Sequence, residues 1–516
     1  MQDSVVETTA GKVRGYASGG IHTFKGIPYG ASTAGANRFM APAPPESWAG
    51  VRDATSFGQS CAQPNIQADD GPPRELQHEV FDVYGMPLAE DPQGEDCLVL
   101  NVWTPGLGDG ARRPVMVRIH GGGYVMGSGS WAWHDGTNLV RRGDVVVVTV
   151  NHRLGSLGYL HLAQLGGDAY RYSGNAGMLD LVAALEWVRD NIEAFGGDPG
   201  KVTIFGESGG GMKVSALMAM PGARALFHRA IVQSGPGMQV MAPADATRAA
   251  EGMLTELGLD VTRLDELHTM PVDRILAAQQ AIARRLGIAS VMTYSPVLDD
   301  VLPKHPADAI AAGASAAVPL LIGSARQEAT QFLLMEGMAT GSIPVIDDNS
   351  LEARIGMLAG ERSQDVIATY RRTMPHASPL ALYILMFSDM IMRLGSIKLA
   401  ECKLAGATAP VFMYLLAWES PAMDGFVGAS HGLCVPLSMD NCDSAPMTRD
   451  YPGSRAVSAR MSDAWIAFAR DGDPCHRDLP KWSPYSLDER ATMIFDDQCT
   501  LIADPFRDQR LAWLSQ

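Results

Sequence analysis

Positive charge is scarce in this chain of 516 residues, where 41 Lys and Arg face 57 Asp and Glu for a formal net charge of −16. No basic patch offsets the deficit, so nucleic acid and anionic membrane surfaces are excluded as natural partners. Cysteine is scarce too. The seven cysteines, at 61, 97, 402, 434, 442, 475 and 499, show no metal-ligand spacing, so no metal is expected, and their odd number leaves at least one thiol free. Long apolar runs are missing: residues 145–150 and 380–387 fall well short of the roughly 20 needed for a membrane span, and none is expected. Residues 1–7 have neither a basic nor an apolar signal region, so no signal peptide is expected within the chain. There is no internal repeat, low-complexity tract or long linker, and residues 1–516 are expected to form one domain.

What is present points to a large α/β protein. With 46% hydrophobic and 19% charged residues the chain can bury an extensive core. Strands are expected at 98–103, 115–119, 145–151, 202–205, 230–233, 320–323 and 411–416, alternating with helical segments, which is the pattern of a mostly parallel sheet covered on both faces. Leu181, Leu185, Val188, Ile192 and Phe195 recur at steps of four and three, marking one face of a helix that ends at Gly196-Gly197. Residues 242–315 and 335–405 read as helical insertions, rich in Met and Leu, that roof the active site.

The central motif is Gly206-Glu207-Ser208-Gly209-Gly210, which follows the β-rich run Val202-Thr203-Ile204-Phe205 and precedes a helix-forming stretch. A sharp strand-to-helix turn forces its middle residue into a strained conformation and exposes the hydroxyl above the sheet, so Ser208 is the expected nucleophile. Glycine is frequent enough, at 54 residues, for the pattern to occur twice. The second copy, Gly428-Ala429-Ser430-His431-Gly432, follows a turn-rich run and precedes no clear helix, which leaves Ser430 an ordinary loop serine.

A serine nucleophile needs a base, an acid that orients the base, and donors for an oxyanion. Of 12 histidines, His431 occupies the position near the chain's end that the order Ser, acid, His requires. His120 and His152 are expected to pack beside a loop, and His476 to lie on solvated surface. Glu328, just past the strand at 320–323, is the expected acid, whereas its competitors Asp299 and Asp300 precede that strand. The run His120-Gly121-Gly122-Gly123 at the end of another strand supplies an oxyanion loop, because consecutive glycines let backbone N–H groups approach a substrate oxygen.

These residues resemble the type B carboxylesterases, a family that also includes lipases, cholinesterases and non-enzymatic adhesion proteins. The likeness runs nearly end to end through Phe24-Lys25-Gly26-Ile27-Pro28-Tyr29, Arg38-Phe39, Glu95-Asp96-Cys97-Leu98, and Phe195-Gly196-Gly197-Asp198-Pro199 up to the Ser208 motif. The resemblance implies an α/β-hydrolase fold with Ser208, Glu328 and His431 as the catalytic triad. It implies oxyanion donors from Gly122, Gly123 and Gly209, and supporting roles for Glu207 and Ser234. It also implies ion pairs of Arg38 with Glu95 and of Arg153 with Asp180. A Cys61–Cys97 bridge is implied as well, which would favour a secreted or periplasmic setting over the cytoplasm; on spacing alone, two unrelated thiols fit equally.

The expected activity is two-step hydrolysis of a small to medium, largely apolar carboxylic ester, without cofactor, by a monomer or homodimer. Tyr124, Met126 and Met238 are expected at the substrate pocket. Cys434 stands where the family often has an acidic residue, and Leu181 where glutamine is frequent. The segment 62–96 holds no tryptophan, which disfavours a choline-ester specialist. Lipase, amidase and carbamate hydrolase share this chemistry and differ in pocket shape; a binding protein on the same scaffold would have lost the nucleophile.

Overall fold

Runs of β-branched residues buried on both faces build the centre of the molecule. Val146–Val150, with the sequence Val-Val-Val-Thr-Val, is entirely buried and pairs in parallel with Arg113–Ile119, as expected for a strand covered by helices on both sides. The computed structural model describes residues 2–64, 75–85 and 92–514.

Among the described residues one sheet contains thirteen strands. Its centre is seven parallel strands in the order Val146–Val150, Arg113–Ile119, Gly197–Glu207, Arg229–Gln233, Leu320–Ala325, Val411–Leu416 and Ala491–Phe495. Antiparallel strands extend both ends, Gln2–Thr8, Gly11–Ser18, Ile21–Pro28 and Val99–Thr104 on one side and Thr500–Ala503 on the other, and Val51–Asp53 pairs in parallel with Gly11–Ser18 as the thirteenth. All seven strands read from the sequence are present. This is the α/β-hydrolase architecture, with Gly197–Glu207 near the middle and its C-terminal end opening on the site.

The helix Ala176–Asn191 buries Leu181, Leu185 and Val188, runs into a 3₁₀ turn through Phe195, and stops where Gly196 adopts φ +75°. Between residues 242 and 315 the elements are helices, including Pro243–Leu257 and Val272–Leu286, and the second insertion is likewise helical, from Asp348–Ala359 to Leu394–Gly406.

One helix is longer than its apolar run suggests, and one expectation requires correction. Pro379–Ser388, a π turn over Asp389–Arg393 and Leu394–Gly406 join into one helix of 28 residues, in which the most apolar 18 residues have a mean hydropathy of 1.5, enough by composition for a membrane span. The short apolar run at 380–387 concealed that length. More than half of its apolar window is buried against the rest of the protein, and it carries the ion pair of Arg393 with Asp389 at 2.6 Å, as suits a core helix. The Cys61–Cys97 bridge, in turn, is not formed. Both residues are buried free thiols in contact with each other, and the Cys61 sulfur accepts the Leu154 N–H at 3.3 Å. Contact with Cys61 and burial push the Cys97 thiol up, so it stays protonated. The base of the intervening loop is closed without a covalent bond by the pairing of Ser60–Cys61 with Gln93–Gly94.

Candidate active site

The turn after Gly197–Glu207 holds Ser208 at φ +55° and ψ −125°, a conformation that an L-residue adopts only under constraint. The constraint is close backbone packing. A Cβ on Gly206 would meet the Gly210 carbonyl carbon at 2.4 Å, one on Gly209 the Gly123 oxygen at 2.0 Å, and one on Gly210 the Ile119 oxygen at 2.3 Å. Across the turn, a Cβ on Gly235 would meet the Ser208 oxygen at 2.0 Å. The Ser208 N–H donates to the Gln233 carbonyl at 2.9 Å, and the helix Gly209–Ala219 starts immediately after it.

The strand Leu320–Ala325 delivers Glu328, fully buried, with Oε1 accepting the Ala325 N–H at 2.6 Å and Oε2 accepting His431 Nδ1–H at 2.6 Å. That second bond fixes the imidazole tautomer and leaves Nε2 free of any hydrogen bond, which is the arrangement of a general base awaiting a proton. Glu207 Oε1 lies 3.3 Å from Nε2. Burial alone would lower the His431 pKa, but the charges of Glu207 and Glu328 outweigh it and raise it to about 9. Burial raises the Glu207 carboxyl in turn, with His431 and Arg118 opposing the shift. The Phe332 ring sits 5.3 Å from the imidazole.

At the end of Arg113–Ile119, Gly122 and Gly123 take φ +84° and +62°, and neither N–H meets an acceptor among the described residues. The N–H of Gly209, first in its helix, has no partner within the helix either. The loop packs against the serine turn, a Cβ on Gly121 falling 3.5 Å from the Ser208 Cβ, which makes these three N–H groups candidates for holding an oxyanion.

The supporting groups fall close by. Arg38 grips Glu95 through two bonds of 2.6 Å and donates to the Met270 carbonyl, tying the N-terminal segment to the first helical insertion. Arg153 donates to both oxygens of the fully buried Asp180, at 2.8 and 2.6 Å. Ser234 is buried at φ +46° beside Cys434. Of the pocket candidates, Met126 covers Gly122 and Met238 is half-buried against the core, while Tyr124 lies buried beneath the loop, edge-on to Tyr159. His120 and His152 stack at 4.7 Å, and burial lowers His120 to about 3. Asp299 caps its own loop and Asp300 pairs with Arg171, so neither approaches His431.

Sequence reasoning missed Phe332, Arg118 and Lys213. Arg118 is fully buried, donates to Gln233 Oε1 at 3.0 Å and contributes a positive charge near Glu207. The one signal Lys213 left in the sequence is that it is the only cation in the otherwise apolar, glycine-rich helix directly after Ser208.

The sequence matches the Carboxylesterase family over residues 2–513. It is 37% identical to the para-nitrobenzyl esterase of Bacillus subtilis (strain 168), covering 99% of this chain and 98% of that one. It is 32% identical to the phenmedipham hydrolase of Pseudarthrobacter oxydans over 97% and 96% of the two chains. Among solved structures, the carboxylesterase EST55 of Geobacillus stearothermophilus superposes with a TM-score of 0.84 at 37% identity, with 99% of each chain covered. With the fold, the serine turn and these full-length similarities in agreement, the chain belongs to the carboxylesterase family, serine hydrolases that cleave esters through an acyl-enzyme.

Proposed function

We propose that Ser208 is the nucleophile, His431 the base and Glu328 the acid of a single catalytic unit that hydrolyses small to medium, largely apolar esters. The observation that carries this reading is the buried His431–Glu328 bond of 2.6 Å, with Nε2 left free, beside a serine in the strained turn. Neutral His431 takes the Ser208 proton as Oγ attacks the ester carbonyl. The N–H groups of Gly122, Gly123 and Gly209 receive the oxyanion. Collapse of the tetrahedral intermediate breaks the bond to the alkoxy oxygen, which leaves as alcohol with the proton from His431. Water, deprotonated by the same imidazole, then attacks the acyl-enzyme and releases the carboxylic acid.

The apolar preference rests on what borders the loop and the imidazole: Phe332, Met126 and Val291, the last with its Cγ1 3.0 Å from where a Gly123 Cβ would sit. Rates on p-nitrophenyl esters from acetate to long acyl chains, for the parent and Ser208→Ala, test the proposal. Activity that peaks at short to medium chains and vanishes in the variant is expected. Activity that survives in Ser208→Ala would refute the nucleophile assignment, and a peak at long chains would refute the substrate class.

A further inference from the structure

Three consecutive glycines cannot hold a loop in one shape by themselves, because each has the widest conformational freedom of any residue. The oxyanion loop is held instead through its carbonyl groups. The Gly122 oxygen accepts from Val125 and Met126 N–H at 3.3 and 3.1 Å, and the Gly121 oxygen accepts from His120 Nδ1 at 2.9 Å. The remaining two carbonyls go to one side chain: Lys213 Nζ donates to Gly123 at 2.9 Å and to His120 at 3.2 Å.

Lys213 is fully buried, with its amine 5.6 Å from the centre of the Tyr124 ring. No carboxylate pairs with it among the described residues, and burial lowers its pKa to about 7. An amine in such a place is costly to desolvate, so its two hydrogen bonds must offset that cost. Their placement is specific. The gripped peptides are His120–Gly121 and Gly123–Tyr124; the two peptides between them carry the N–H groups of Gly122 and Gly123. The same short helix carries Ser208 at its cap, Gly209 at its first position and Lys213 one turn on, so one rigid element sets nucleophile, third donor and tether.

We propose that Lys213 is a positioning residue for the oxyanion hole, fixing the glycine loop to the nucleophile helix by bracketing the two donor peptides. This inference rests on the role of Ser208 proposed above. It acts on charge that develops only in the transition state, so its loss falls on kcat and not on substrate binding.

The test compares the parent with Lys213→Met, which keeps the length and removes every donor, and Lys213→Gln, which keeps an N–H donor. Three quantities are read: kcat and KM on a p-nitrophenyl ester, melting temperature, and affinity for a trifluoromethyl ketone, whose serine adduct places an oxyanion in the hole. Lys213→Met is expected to lower kcat roughly 10- to 100-fold, below the roughly 10²- to 10³-fold typical of deleting a donor itself. KM should change little, affinity for the ketone should fall in parallel with kcat, and Lys213→Gln should lose less. If folded Lys213→Met keeps the parent's kcat, or loses kcat while binding the ketone as tightly as the parent, or if Gln loses as much as Met, the tether is refuted. A parent whose hydrolysis survives in Ser208→Ala would overturn the nucleophile assignment and this inference together; intact dependence on Ser208 with an unaffected Lys213→Met would overturn this inference alone.

Discussion

Around Ser208 a single added methyl group has nowhere to go, whereas open positions on the helices of the insertions would accept one freely. Cβ atoms on Gly122, Gly206, Gly209, Gly210 and Gly235 would each fall within 2.4 Å of a backbone atom. On Gly252 and Gly356, within the helices Pro243–Leu257 and Asp348–Ala359, a Cβ would meet nothing within 4 Å. The serine turn is thus held by main chain against main chain, with the Lys213 amine bonded to the adjoining glycine loop, while the surrounding helices offer open surface that can vary without disturbing it. Chemistry and specificity are built from different materials in one chain.

The comparison can be broken most severely at the buried acid. Glu328→Gln keeps the shape of the side chain but lets the imidazole adopt the wrong tautomer, and kcat is expected to fall by about 10⁴ with KM nearly unchanged. Gly209→Ala comes next, since its Cβ would fall 2.0 Å from the Gly123 oxygen and push donor and nucleophile apart. A loss on the order of 10² to 10³ in kcat, on a protein that still shows its native circular dichroism, would match the account.

A smaller effect concerns pH. Only neutral His431 accepts the serine proton, so kcat/KM rises with pH through the imidazole pKa, which Glu207 and Glu328 hold up at about 9. Glu207→Gln removes one of those charges, and the midpoint of the acid limb should move down by about one unit or more. A midpoint that stays in place would show that Glu207 does not act on the ring. Least affected is the insertion surface, where Val345 and Met357 are 89% and 80% exposed. Val345→Ser and Met357→Ala should each leave stability within about 0.5 kcal/mol of the parent and kcat unchanged.

The sequence disclosed the central sheet because its strands are buried on both faces and therefore read as apolar runs. It singled out Ser208, Glu328 and His431 because the order of elements along the chain restricts which residues can meet at the sheet's edge. The antiparallel strands at both ends were less legible: residues 3–8 of the first strand alternate exposed and buried with many polar side chains, and Thr500–Ala503 is largely exposed. The state of Cys61 and Cys97 was not legible, since spacing does not reveal that the Cys61 sulfur accepts a backbone N–H and that strand pairing already closes the loop. Lys213 escaped notice for a related reason. A lysine in a helix reads as a solvated charge until the fold brings two carbonyl groups of a distant loop onto its amine.

The central claim is that an acyl group passes through Ser208, and it is tested most directly by rapid mixing with p-nitrophenyl acetate followed by mass spectrometry of the peptides from acid-quenched protein. The account predicts an acetyl adduct of one per chain, confined to the peptide containing Ser208 and absent in Ser208→Ala. An adduct at Ser430 or any other residue, or turnover with no adduct in a Glu328→Gln protein slowed enough to trap one, would contradict it.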